Sequence, residues 1–235
     1  MQYVISDIHG YYEQFMEVLN LIRLKDSDTL YVLGDVVDRD PHPIKTLIKL
    51  MEMPNVICLV GNHELMALDG LRLLNTRITT DSVESIDAGL LGNLTDWHRN
   101  GSETTIEEFK QLDQEMRLKV INFMMDFSLY EELTVKGQKY LLVHAGLGDY
   151  SPDKKIEDYS LENLLWSRVD YNTKYFEDTI VITGHTPTQL IIGNTNPGRI
   201  YRNLNHIAID CGCGIPDGRL AAVCLETGKE FYSSI

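Results

Sequence analysis

The sequence predicts an α/β fold built on a sheet that is at least partly parallel. Short apolar runs alternate with amphipathic helical patterns through the first third of the chain. The last third is rich in strand-like runs separated by Gly and Pro turns, and Asp- and His-bearing motifs follow directly on several apolar runs. Alternating strands and helices imply βαβ units. In such sheets ligands bind outside the carboxyl ends of the strands.

Residues 2–5 read as the first strand, and 11–22 as a helix with Phe15, Val18, Leu19 and Ile22 on one face. A strand over 29–33, a helix over 44–51 and a strand over 56–60 follow. Asp7, Asp35 and Asn62 each fall just past one of these strands. Between 75 and 101 the pattern weakens into a polar, Gly- and Thr-rich stretch. One helix is then expected over 105–126, opened by a capping box of Thr104 with Glu107. Its apolar stripe, Ile106, Phe109, Met116, Val120 and Phe123, is expected to pack in the core. Runs over 129–135 and 139–143 flank Lys136-Gly137-Gln138 as a hairpin. A strand over 179–182 leads into Gly184-His185. The runs at 200–201, 207–209, 220–225 and 230–232 suggest a closing antiparallel set.

With 235 residues, 43% of them hydrophobic and 24% charged, the chain suits one globular domain. A net charge of −14 argues against nucleic acid as a partner. It leaves a phosphate substrate open, because bound divalent cations reverse the local field. No apolar run approaches the roughly 20 residues that cross a bilayer, so no membrane association is expected. The first apolar run is too short for a signal peptide, and a cytoplasmic protein is expected. Four cysteines make no disulfide framework. Cys58 and Cys224 lie in apolar runs, and Cys211-Gly212-Cys213 lacks the second pair that a closed zinc site needs.

The chemistry is carried by five motifs in order: Asp7-x-His9, Gly34-Asp35-x-x-Asp38-Arg39, Gly61-Asn62-His63-Glu64, His144-Ala145-Gly146 and Gly184-His185-Thr186-Pro187. Asp7 and His9, two apart on an extended segment, leave on one face and can grip one cation. Asp35 can add a second carboxylate. Asn62, His144 and His185 offer an amide oxygen and two imidazoles. Such ligation without thiolates suits Mn, Fe or Zn better than Ca. Six ligands exceed the needs of one catalytic metal and match two sharing a bridge, roughly 3.5–4 Å apart in typical two-metal sites. A single Asp after a strand is usually a turn former, but five such clusters point to a metal-dependent hydrolase. His42, His98 and His206 lack that setting and are read as structural.

In these motifs the chain resembles the phosphoprotein phosphatase family of the calcineurin-like metallophosphoesterases, in particular its compact bacterial and phage-type serine/threonine phosphatases. Trp97-x-x-Asn100-Gly101 with Thr105, Asp210-x-Gly212 and Gly218-x-Leu220 are similar too. The resemblance implies a four-layer αββα sandwich, with 1–235 a single metallophosphoesterase domain and 75–127 a helical insertion or lid. It implies two divalent metals, one on Asp7, His9 and Asp35. Asp35 would bridge to the second, completed by Asn62, His144 and His185. Arg39 and Arg168 match phosphate-clamping arginines, with Asn62 also on the phosphate side, and arginine's planar fork suits that task. His63 and Asp38 match an acid–base dyad, with Glu64 a hydrogen-bonding support. The implied reaction is in-line attack by a hydroxide held between the metals, with His63 protonating the leaving oxygen. Where the family commonly has glycine after the arginine, this chain has Asp40.

The implied substrate is a phosphoprotein or a small phosphate ester. The leading expectation is a serine/threonine phosphatase with manganese. The alternatives are hydrolysis of dinucleoside polyphosphates such as diadenosine tetraphosphate, and an inactive metal-binding regulatory module.

Overall fold

The structure, a computed structural model, describes residues 1–76 and 87–235. Two five-stranded sheets lie at its centre. In the first, β1 (Gln2–Ile5), β2 (Thr29–Val32) and β3 (Val56–Cys58) run parallel, joined through α1 (Tyr12–Ile22) and α2 (Pro43–Met51). On the other side of β1, β9 (Ala221–Cys224) and β10 (Glu230–Tyr232) are added antiparallel. The second sheet starts with the hairpin of β4 (Tyr130–Val135) and β5 (Gln138–Val143). Lys136 and Gly137 take φ of 49° and 84° at its turn, the left-handed pair whose twist matches flanking strands. β6 (Thr179–Thr183) lies parallel to β5, and β8 (His206–Ala208) parallel to β6. β7 (Tyr201–Asn203) forms the antiparallel edge.

Period-two alternation sorts the side chains into layers. Val4, Tyr31, Leu33, Tyr140, Leu142, Ile182, Ile207 and Val223 meet between the two sheets. Their neighbours Tyr3, Ile5, Leu30, Val32, Ala222 and Cys224 face outward into a core shared with the helices. Leu141, Val143, Val181 and Ala208 face the opposite outer side. That side is covered by α7 (Leu161–Leu165), two short 3₁₀ turns and the aromatic residues Tyr159, Tyr171 and Tyr175. The order is therefore helix, sheet, sheet, helix, with one outer layer much thinner than the other.

Several sequence expectations need correction. The helix expected over 105–126 is two, α5 (Glu103–Gln111) and α6 (Gln114–Met125). They break at Leu112, whose backbone is extended, and Asp113 caps α6 by accepting the Met116 N–H. The helical spacing of apolar residues continues across the break, which hides it. The expected capping box is also absent: α5 begins after Ser102, and no side chain caps it. The weak stretch 75–101 contains α4 (Ala88–Arg99), while its residues 77–86 lie outside the described ones. A helix not anticipated at all, α3 (Asn62–Asn75), starts inside the third motif. The terminal strands are not one antiparallel set: β7 and β8 belong to the second sheet, with β8 parallel to β6, and β9 and β10 to the first.

The described part of the 75–127 block is packed into the main core. Trp97, Phe109, Val120, Ile121 and Met124 are buried there beside Ile5, Phe15 and Leu47. All four cysteines are buried and free.

Candidate active site

Parallel strands share a direction, so the loops after their carboxyl ends gather at one edge. Here both sheets contribute. Asp7 and His9 follow β1, Asp35, Asp38 and Arg39 follow β2, and Asn62 and His63 follow β3. His144 follows β5 and His185 follows β6. The β1 and β2 loops are zipped by backbone bonds from Asp7 N–H to Gly34 O (3.1 Å), His9 N–H to Asp35 O (2.9 Å) and Gly10 N–H to Val36 O (2.9 Å). At this edge the loops of the two sheets are bonded to each other: His144 Nδ1 to Leu33 O at 2.6 Å, and the His185 N–H to the Asp7 carboxylate at 3.0 and 3.1 Å. This contact requires Gly184, since a Cβ there would overlap the side chains of Ser6 and Asp7.

The loop after β2 is held from below by Glu64. Its buried carboxylate accepts the N–H groups of Asp35 (2.7 Å), Val36 (2.8 Å), Val37 (3.2 Å) and Gly61 (2.9 Å). Burial, together with the Asp35 charge, pushes its pKa up to about 7 against those four donors. The loop is also contorted: Asp35, Asp38 and Arg39 have φ of 53°, 72° and 74°. Non-glycine residues rarely adopt this region, and such conformations persist only where surroundings hold them.

Donor atoms converge in two trios that share Asp35: His9, Asp35 and His63, and Asp35, His144 and His185. The carbonyl of Val37 lies 3.0 Å from His9 Nδ1, and that of Leu33 2.6 Å from His144 Nδ1. A carbonyl only accepts, so each imidazole keeps a proton on Nδ1. Burial moves both pKa values below the ordinary histidine value. Their Nε2 lone pairs therefore face Asp35, at 3.7 Å from Oδ2 and 3.5 Å from Oδ1. Lone pairs turned on a carboxylate from both sides are repulsive unless cations lie among them. These donors fit divalent metals on that ground.

Asn62 Oδ1 sits between the imidazoles of the second trio, 3.0 Å from His144 Nε2 and 2.9 Å from His185 Nδ1. Asp7 is buried beside them, its carboxylate accepting from the Ser6 hydroxyl and the His185 N–H. Burial and the charges of Asp210 and Asp35 push its pKa well above the usual carboxylate range. Burial opposes the charged form of Asp35 as well, but the surrounding histidines His144, His63, His9 and His185 outweigh it and lower its pKa.

His63 is differently engaged. Its Nδ1 lies 2.7 Å from Asp38 Oδ2, and its Nε2 lies 3.1 Å from Arg39 Nη2 but 4.0 Å from Asp35 Oδ2. Burial works against the imidazolium, yet Asp35 and the Asp38 hydrogen bond prevail and raise its pKa. Arg168 is exposed, and its charge is close enough to help lower His185. Of the histidines read as structural, His42 pairs with Glu108, His98 with Glu103, and His206 is buried against Tyr171 and Tyr175.

A family model of calcineurin-like phosphoesterases matches residues 3–210, which span every one of these loops. The chain belongs to that family. As a calcineurin-like phosphoesterase it is a phosphoric ester hydrolase of a family that uses divalent metals. It is 31% identical to serine/threonine-protein phosphatase 2 of Salmonella typhimurium over 169 residues, 71% of this chain and 67% of that protein. It is 27% identical to the symmetrical bis(5'-nucleosyl)-tetraphosphatase of Nitrosomonas europaea, over 97% of this chain and 96% of that one. A crystal structure provisionally described as a diadenosine tetraphosphatase shares the fold, with a TM-score of 0.63 at 17% identity over 98% of this chain and 91% of that one.

Three residues at the site were given no role by the sequence reading. Asp210 follows β8, the sixth parallel strand end, and is buried. Burial and the charge of Asp35 push its pKa up to about 6. Reading 207–209 as antiparallel concealed it, because only parallel order brings that strand's carboxyl end to the site. Trp97 and Thr105 touch Asp38 from the helical block. The motif containing them was visible, but its contact with the site was not.

Proposed function

We propose that this phosphoesterase is a phosphomonoesterase with a dinuclear centre, acting on phosphoserine and phosphothreonine in proteins. The observation that carries the dinuclear reading is the pair of donor trios sharing Asp35, flanked by the Asp38–His63–Arg39 chain. Asp7, His9 and Asp35 would hold one cation, and Asp35, Asn62, His144 and His185 the other. Asp7 is assigned in place of His63 because both His63 nitrogens are engaged, by Asp38 and Arg39, whereas Asp7 is a buried carboxylate whose charge is opposed by burial and by Asp210 and Asp35. Manganese is the first candidate and iron or zinc the others, all compatible with mixed oxygen and nitrogen donors. Bound there, two divalent cations would supply a water of lowered pKa and Lewis-acid stabilisation of the phosphoryl oxygens.

The remaining chemistry is that of side chains. Arg39, leaving His63, and Arg168, from the exposed rim, would clamp phosphoryl oxygens, with Asn62 and the amino end of α3 on the same side. His63, held by Asp38 through Nδ1, would protonate the leaving oxygen from Nε2. The second substrate reading, a dinucleoside tetraphosphate, is favoured by the near full-length match to a bis(5'-nucleosyl)-tetraphosphatase. The two are separated by comparing kcat/KM on a phosphoserine peptide and on diadenosine tetraphosphate with Mn²⁺. The protein-phosphatase reading expects the peptide to be preferred, and a higher value for the dinucleotide overturns it.

A further inference from the structure

The acid dyad is not self-supporting. Asp38 and Arg39 occupy left-handed backbone, a conformation that persists only where the surroundings hold it. Contact from outside comes from the helical block. Trp97 of α4 points its Nε1–H at the Asp38 carboxylate, 3.1 Å from Oδ1 and 3.0 Å from Oδ2. Thr105 of α5 makes two bonds with the same residue: its hydroxyl donates to Oδ1 at 2.6 Å and accepts the Asp38 N–H at 3.0 Å. Between them, the carbonyl of Gly101 accepts the Arg39 N–H at 3.0 Å. One turn beyond Thr105, Glu108 accepts the N–H groups of Ile44 and Lys45 at the start of α2, at 2.8 and 3.1 Å.

All three members of this support are sealed from water: Asp38 and Thr105 show no exposure and Trp97 only 2%. The ring of Trp97 lies directly on Gly70 of α3, where any Cβ would overlap it. The indole is thereby wedged between the helix that carries His63 and the carboxylate that holds His63. Two outside donors and His63 fill most of the lone-pair sites of Asp38, leaving the carboxylate one orientation. That orientation fixes the imidazole plane, and with it the direction of Nε2.

We propose that Trp97 and Thr105 are positioning residues for leaving-group protonation, so that helices α4 and α5 aim the His63–Asp38 dyad. This rests on the reading of His63 as the proton donor. In that step the oxygen of water bonds to phosphorus as the ester P–O bond breaks, the electron pair of the broken bond goes to the leaving oxygen, and that oxygen takes the His63 Nε2 proton. A positioning role therefore matters in proportion to how much the leaving group needs the proton. A nitrophenolate departs with little help, whereas an alkoxide does not.

The test is kcat and KM of the Mn²⁺-loaded protein on p-nitrophenyl phosphate and on a phosphoserine peptide, for wild type, Thr105→Val, Thr105→Ser, Trp97→Phe and His63→Asn. General acid catalysis typically contributes about 10²–10⁴ in rate, and a misaimed donor should forfeit part of it, roughly tenfold in kcat. Thr105→Val is expected to lose that on the peptide with KM unchanged, and less than about threefold on the nitrophenyl ester. Thr105→Ser, which keeps the hydroxyl, should restore the peptide rate, and Trp97→Phe should follow Thr105→Val. Equal losses on both substrates, a raised KM, or a Ser variant as slow as the Val variant overturns the proposal. Should Thr105→Val not fold, Trp97→Phe carries the same comparison. If His63→Asn itself leaves the peptide rate intact, the proton-donor reading fails. If His63→Asn is slow and Thr105→Val is not, only the positioning role fails.

Discussion

At the scale of single residues, the site is a problem of uncompensated charge. Asp7, Asp35 and Asp210 are buried within reach of one another, and the imidazoles around them are biased towards their neutral forms. His63 stands apart because Asp38 holds its Nδ1 at 2.7 Å. His63→Asn is therefore expected to keep its metal content and lose about 10²–10⁴ in kcat on alkyl phosphates. Metal analysis beside steady-state rates checks this, and a matching loss of metal would move His63 into the ligand set. His185 gives a pH prediction for the metal-free protein. Burial, with the nearby His144 charge, lowers its pKa from 6.5 to about 4. As pH falls through that window the unfolded chain gains a proton that the folded one refuses. Stability present above pH 6.5 is then lost towards pH 4, on the order of 2–3 kcal/mol from this group. Glu64 and Asp210, whose pKa values are raised, titrate with the opposite sign across the same interval, so the loss is read as a difference. Urea midpoints of the metal-free wild type should fall relative to those of metal-free His185→Asn from pH 6.5 to 4, and parallel profiles contradict the assignment. The candidate ligands were legible in the sequence because each stands in a short motif behind an apolar run. Glu64 was legible as a hydrogen-bonding support, but its four N–H partners were not, because they depend on how two loops fold over one helix start.

At the scale of elements, the first three strands and the two helices between them were readable because periodicity changes cleanly from two to about 3.6 at each boundary. The failures have equally physical causes. The α5–α6 break keeps the helical phase of its apolar residues and is marked only by Asp113 capping the second helix. Strand β8 is three residues long, too short for its sequence to declare a parallel partner. Helix α3 begins with the site residues Asn62, His63 and Glu64, and its polar first turn masks its amphipathic face. Glycines at the element junctions are where close approach is decided. Gly184→Ala would place a methyl group against Ser6 and Asp7 and push the β6 loop from the β1 loop. Overpacking of this kind costs about 1–3 kcal/mol, and weakened metal binding should accompany it. An alanine variant with wild-type unfolding midpoint and wild-type metal affinity would show that the two sheets do not need this contact.

For the whole molecule, the decisive property is that two separate mixed sheets direct the carboxyl ends of their parallel strands to one edge. Neither sheet alone supplies both trios: His9 and Asp35 come from the first, His144 and His185 from the second. The packing of Val4, Leu33, Leu142 and Ile182 between the sheets fixes their separation and so the spacing of the donors. The α/β class and the edge location of the site could be read from the motif order, but which strands share a sheet could not. Strand pairing between residues as distant as Tyr3 and Cys224 is set by tertiary packing, and local sequence does not encode it. In the proposed centre, Asp35 is the ligand common to two metal sites. Metal content per chain, measured on wild type and Asp35→Asn after equilibration with Mn²⁺ and removal of free ion, tests it most directly. About two ions per wild-type chain, as a shared-bridge centre requires, and fewer than about one in the variant are expected. A single ion in the wild type, or a variant that keeps one site at full affinity, would rule out a shared Asp35.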